Sequence, residues 1–139
     1  MKQIVKNSFT LIELIFVIVI IGILAAVALP QLNSTKQKAV SNTIKQDIGT
    51  ISQSIKTKHL LDGDITDISS AVNYDEGVWT LDDTKLKLEH KIAGATCVSI
   101  VVDKSTSTHK LNVTITPSSS TQCKQIANDG VANSSEALE

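Results

Sequence analysis

The chain has 139 residues, which suits one domain and leaves little room for a second core. A formal charge of −1 at neutral pH implies no basic nucleic-acid-binding surface from the total. Apolar residues make up 42% but are unevenly placed: the densest run lies in the first thirty residues, and the remainder is rich in Ser, Thr, Asn, Asp and Lys. That asymmetry fits a single membrane-type segment attached to a small polar domain.

Met1 to Ser8 reads MKQIVKNS, with Lys2 and Lys6 and no acid. Phe9 to Leu29 then reads FTLIELIFVIVIIGILAAVAL. As a helix this run spans about 31 Å, the thickness of a bilayer's hydrocarbon core. The upstream lysines hold the N-terminal side in the cytoplasm and send the rest of the chain outward. An ordinary secretory signal peptide is one interpretation, with Ala26-Val27-Ala28 as its small-x-small cleavage site. Against it, the run exceeds the usual apolar stretch of about 7–15 residues, and it contains Glu13. A plain membrane anchor is a second interpretation. It gives no reason to keep Glu13, since a lone carboxylate at mid-bilayer costs about 2.5–3.5 kcal/mol or more.

A third interpretation accounts for the acid. The run Ser8-Phe9-Thr10-Leu11-Ile12-Glu13 resembles the prepilin processing motif of type IV pilins and type II secretion pseudopilins, and the match continues through Leu14, Gly22, Ile23, Leu24, Ala25 and Ala26 to Pro30. The resemblance implies a cut by a membrane peptidase between Ser8 and Phe9, with N-methylation of the new N-terminal Phe9. Glu13 then becomes the fifth residue of the mature chain, the family's position for this acid. One departure is Ser8, which stands where the family usually has Gly; both are small. Elementary electrostatics agrees with the assignment. A buried charge is stable only when paired. The Phe9 ammonium of one subunit and the Glu13 carboxylate of its neighbour can pair in an apolar filament core. Such a pair sets axial register, as a buried polar residue does in a coiled coil.

Pro30 lacks an N–H and clashes with the preceding turn, so a kink or local unwinding is expected there. The helix then continues as an amphipathic one. Val40, Ile44, Ile48, Ile51 and Ile55 form an apolar stripe, and Gly63 supplies a stop after His59 to Asp62. Residues 62–76 read as a polar loop with a short helical turn around Asp67 to Val72. Strand signals follow: a weak one over Val78 to Leu81, alternation at Leu86, Leu88 and His90, the run Cys97 to Val102, and alternation at Leu111, Val113 and Ile115. Asp103 to Thr108 is long enough to close an antiparallel hairpin. Pro117 and Ser118 to Thr121 are expected to end the sheet, and Asn128 to Glu139 to form a mobile polar tail. The expected fold class is α+β: one long N-terminal helix packed on a small antiparallel sheet. That this sheet wraps this helix is what the pilin resemblance implies. The expected segments are a leader over 1–8, a membrane or filament-core helix over 9–29, the amphipathic half over 30–61 and a globular head over 62–139.

Two cysteines behind an export-type N-terminus favour one disulfide. A bridge between Cys97 and Cys123 closes a loop of about 25 residues, worth roughly 3–4 kcal/mol in the chain-entropy model. It looks similar to the C-terminal disulfide loop of many type IV pilins; free thiols are the alternative. Asp62, Asp64 and Asp67 could offer oxygens to calcium, which some pseudopilins bind, but EF-hand spacing is absent and a solvated helix end is preferred. His59, His90 and His109 are scattered and are taken as surface residues; zinc spacing is lacking. No Gly-rich phosphate loop, nucleophile elbow or metal-protease helix occurs, so no enzyme, metal or cofactor is expected.

The motif leaves the machine open among type II secretion pseudopilins, type IV pilins (major or minor) and competence pseudopilins. A compact head leans to a secretion or competence pseudopilin and the cysteine pair to a pilin; the secretion pseudopilin is the expected kind. Glu13 favours a subunit packed within the filament. Expected partners are like subunits in a helical filament, the prepilin peptidase, the inner-membrane assembly platform, and lipid before assembly; nucleic acid enters only for the competence type. The expected location is the bacterial inner membrane with the head in the periplasm, then a pilus or pseudopilus. A secreted binding domain with an ordinary signal peptide is the alternative from another class.

Overall fold

The computed structural model describes residues 9–105, 107–117 and 120–138, with only the backbone at 29 and 30. The contacts divide the chain into two compact units, Met1–Lys36 and Gln37–Glu139. Helix α1, Leu11–Asp62, begins in the first and ends in the second.

In the first unit the helix is rich in Ile and Val, which are poor helix formers in water. Lipid reverses that preference, because a chain without water must satisfy its own N–H and C=O groups. The large apolar side chains from Leu11 to Val27 are all exposed, and none of the apolar window is buried inside the chain. The backbone stays helical on both sides of Pro30 and at Pro30 itself. The local unwinding expected there is therefore absent, since losing one hydrogen bond leaves the neighbouring ones in place; a bend at Pro30 remains a proposal.

In the second unit α1 turns an apolar stripe inward. Ile44, Ile48, Ile51 and Ile55 are all buried, and so is Ser41. Val40, expected to open the stripe, is instead exposed. The 3,4,3,4 spacing of the buried face runs through position 41, and 40 lies one residue off that line. Gly63, at φ +77°, stops the helix and donates its N–H to the His59 carbonyl at 2.7 Å. Asp67 then caps a short 3-10 turn, Ile68–Ser70, by accepting from the Ser69 N–H at 2.8 Å. Ile65, Ile68 and Val72 enter the core from this segment.

Five strands follow: β1 Trp79–Leu81, β2 Lys87–Ile92, β3 Ala95–Asp103, β4 Lys110–Ile115 and β5 Ser134–Ala137. They form one sheet in the order β1-β2-β3-β4-β5, every neighbour antiparallel. Leu88, Val98, Ile100, Val102, Leu111, Val113 and Ile115 join the isoleucines of α1 in one core. The architecture is α+β, a long N-terminal helix and a small antiparallel sheet. The turn between β2 and β3 consists of Ala93 and Gly94, both with positive φ, at +52° and +81°.

The C-terminal region corrects the sequence expectation. The sheet does not stop at Pro117; Ser118 lies outside the described residues. A second helix, α2, Thr121–Asn128, opens on a Ser120 cap and buries Cys123 and Ile126. The chain then returns as β5 against β4, and Leu138 is buried beyond it. The tail is held by backbone pairing, by the Ile115 N–H donating to Asn133 Oδ1 at 2.7 Å, and by the Leu138 N–H donating to the His109 carbonyl at 2.8 Å. Its polar side chains point to solvent, which hides an edge strand from a search for apolar alternation.

Candidate filament-assembly site

Phe9 and Glu13 lie at the start of α1. Phe9 precedes the first helical residue and is 71% exposed; Glu13 is exposed in the first turn. The Thr10 carbonyl accepts from the N–H groups of Glu13 at 3.1 Å and Leu14 at 3.2 Å, which puts Thr10 at the helix cap. The Thr10 Oγ1 and Glu13 Oε2 atoms stand 3.5 Å apart. Ser8 lies outside the described residues, as do Lys2 and Lys6. From Leu11 to Ala28 the helix thus presents one carboxylate among apolar side chains, all of the large ones exposed. Such a surface needs lipid or other copies around it, and the carboxylate needs a cation or a donor. The sequence points to Phe9 and Glu13 as the assembly pair. The Thr-x-x-Glu spacing, a helix-start signature, was the signal that adds Thr10.

The head holds the other singled-out residues. Cys97 on β3 and Cys123 in the first turn of α2 form a disulfide, with Cα atoms 5.6 Å apart and both residues fully buried. The bridge ties α2 to the central strand of the sheet.

The three aspartates at the end of α1 and just beyond it serve separate partners. Asp62 pairs with Lys58 at 2.6 Å. Asp64 pairs with Lys104 at 2.7 Å, and that hydrogen bond chiefly holds its carboxyl below the usual aspartate value. Asp67 is likewise lowered, mainly by the Ser69 hydroxyl. Among the described residues, no group of three or more His, Cys, Asp or Glu side chains is placed to hold a metal ion.

His90 is not the surface residue expected: it is 8% exposed, its Nδ1 lies 2.9 Å from the Val78 carbonyl oxygen, and its ring packs 5.7 Å from that of Trp79. Alternation along β2 puts positions 88 and 90 on the same inner face. His59 and His109 are half-buried and meet edge to face, with ring centres 5.6 Å apart. Trp79 is buried and donates its ring N–H to Asp47 of α1 at 3.1 Å, fastening β1 to the helix.

The comparisons bear on the N-terminal segment. Residues 5–29 match the family model described as the prokaryotic N-terminal methylation motif. No curated relative and no solved structure matches the chain. The matched window takes in Phe9, Thr10, Glu13 and the unburied apolar stretch of α1. It supports a type IV pilin-like filament subunit, a structural rather than enzymatic kind of protein, processed by a prepilin peptidase and anchored in a membrane before assembly. Across residues 5–29 the chain carries the prepilin-type signature of the type IV pilins and pseudopilins.

Proposed function

We propose that this chain is a structural subunit of a type IV-like filament, of the type II secretion pseudopilin kind. It is cut between Ser8 and Phe9, methylated at the Phe9 nitrogen, and packed against like subunits through the Phe9 ammonium and the Glu13 carboxylate. The observation that carries this reading is the coincidence of the methylation motif with an apolar helix that buries nothing inside its own chain yet carries Glu13. Before assembly, lipid surrounds that helix; afterwards, neighbouring copies do. The compact head favours the pseudopilin kind. The buried Cys97–Cys123 bridge favours a second reading, a type IV pilin with its head stabilised for life outside the cell.

N-terminal sequencing and intact mass test the reading. The mature chain should begin at methylated Phe9. Lys2 and Lys6 leave with the leader, so 13 basic residues become 11 against 14 acids, a formal charge of −3. A mature chain beginning at Leu29 would instead mark an ordinary signal peptide and a secreted domain. Deletion then separates the machines: loss of secreted enzymes marks secretion, loss of surface fibres a pilus, and loss of transformation alone DNA uptake.

A further inference from the structure

We propose that the free edge of β5, with the cavity beside it, is a docking site for an extended segment of another protein, which adds a sixth strand to the sheet and lodges one aliphatic side chain against Leu60. The site lies wholly within the Gln37–Glu139 unit and is independent of the filament reading.

The register fixes which backbone groups are free. Strand β5 is the last of the sheet and, among the described residues, pairs only with β4. The Leu138 N–H donates to the His109 carbonyl, and in an antiparallel ladder such bonded pairs recur at every second residue. Ser134 and Glu136 therefore bond to β4, while the N–H and C=O groups of Ser135 and Ala137 point off the sheet. All four residues of β5 are exposed. The strand has no proline and no lysine and runs in unbroken register with β4, so it lacks the usual devices that blunt an edge.

The same alternation decides which side chain a partner needs. Glu136 and Leu138 lie on the inner face of the sheet, where Glu136 pairs with Lys56 of α1 and Leu138 is buried. A strand added beside β5 turns the residue opposite Glu136 to that face, toward a cavity of ≈170 Å³ lined by Lys56, Leu60, Glu136, Ala137 and Leu138. A cavity of about 150 Å³ holds a benzene ring, so this one takes a large aliphatic side chain. Leu60, in the cavity wall, is 69% exposed and gains cover. A second copy fits poorly. Pairing two β5 edges through Ser135 and Ala137 sets two Glu136 carboxylates opposite each other, and like charges so placed destabilise a strand pair. The inward apolar residues of β2, β3 and β4 are committed to their own core. The segment that fits is extended, comes from a different protein, and has an aliphatic residue rather than an acid at its inward position.

The test uses the full-length protein in detergent micelles and a displayed library of random eight-residue peptides. Selection should enrich peptides in which aliphatic residues alternate with others and proline is missing. The best of them, at saturation, should slow amide hydrogen exchange at Ser135 and Ala137 by about tenfold or more. Ala137→Pro removes one outward donor at a place where an edge strand tolerates proline, and Leu60→Ser strips the cavity wall. Each should weaken binding of that peptide roughly tenfold, the scale of one lost hydrogen bond or of part of a leucine side chain's burial. Both variants should keep the wild-type unfolding midpoint followed through Trp79; where Ala137→Pro does not fold, Leu60→Ser and the exchange pattern decide. Failure to enrich any such peptide would overturn the proposal. So would a bound peptide that leaves both amides exchanging freely, or wild-type affinity in Leu60→Ser. Protection of Ser135 and Ala137 in sheared filaments without peptide would assign the edge to a neighbouring copy and overturn it as well.

Discussion

The Cys97–Cys123 bridge permits a quantitative test of how the head is held. The two residues are 26 apart in sequence and fully buried. Reducing the bond leaves two thiols in nearly the same space, so packing changes little and the loss is mainly of the constraint on the unfolded chain. For a loop of this length the chain-entropy relation gives roughly 3.5 kcal/mol. For a head of roughly 100 residues, unfolding entropy of about 2.1 cal/mol/K per residue turns that into a fall of about 17 °C in midpoint. Trp79 is the sole tryptophan and is 1% exposed, so its fluorescence reports the core directly. The full-length protein would be purified in detergent, and one half reduced in denaturant and refolded under reductant, with free thiols counted by mass tagging. Both halves would then be heated while Trp79 emission is followed. Identical midpoints, with both thiols proven free, would refute the reasoning and leave Ile126 and the Ser120 cap to hold α2 by themselves.

Glu13→Val should preserve membrane insertion and cleavage before Phe9 but abolish or strongly reduce filament yield, because removing one member of a buried charge pair costs about 3–5 kcal/mol; Glu13→Asp should be intermediate, and wild-type yield of Glu13→Val in a shearing assay would remove the intersubunit pair. Ala93 holds a φ of +52° ahead of Gly94 in the two-residue β2–β3 turn, a place that favours Asn, so Ala93→Asn should stabilise the head by about 0.5–1 kcal/mol in thermal unfolding. Acid should weaken the head through Asp64, Asp67 and Glu89, whose folded values all lie below the ordinary 3.8, 3.8 and 4.5, owing chiefly to Lys104, Ser69 and Lys87 respectively. Their contribution is present above those ordinary values and is lost as pH falls through the lower folded ones, so the unfolding midpoint should drop below about pH 4.5; a midpoint unchanged down to pH 2 would contradict this. The Lys87 ammonium, raised mainly by its bond to Glu89, works in the opposite sense, contributing below 10.5 and fading as pH climbs past its raised folded value.

The features legible in the sequence were those set by neighbouring residues. The membrane-type run and the spacing from Phe9 to Glu13 are contiguous, and lipid acts on them through composition and length alone. The stripe at Ile44, Ile48, Ile51 and Ile55, the Gly63 stop and the strands β2 to β4 carry their own periodicity, so each announced itself before any packing was known. Tertiary structure decided the rest. Strand β5 is Ser-Ser-Glu-Ala with every side chain exposed; it exists because β4 offers a row of backbone partners, and nothing in its side chains marks it. Helix α2 has eight residues and only two buried contacts, Cys123 and Ile126, too short a pattern to separate from a loop until the sheet lies beneath it. His90 is buried because its place on β2 faces the core and the Val78 carbonyl lies in reach of its ring nitrogen, a partner twelve residues away. Ser41 rather than Val40 faces inward because packing selects one line of a helix, and hydrophobicity alone does not say which of two adjacent positions that line crosses.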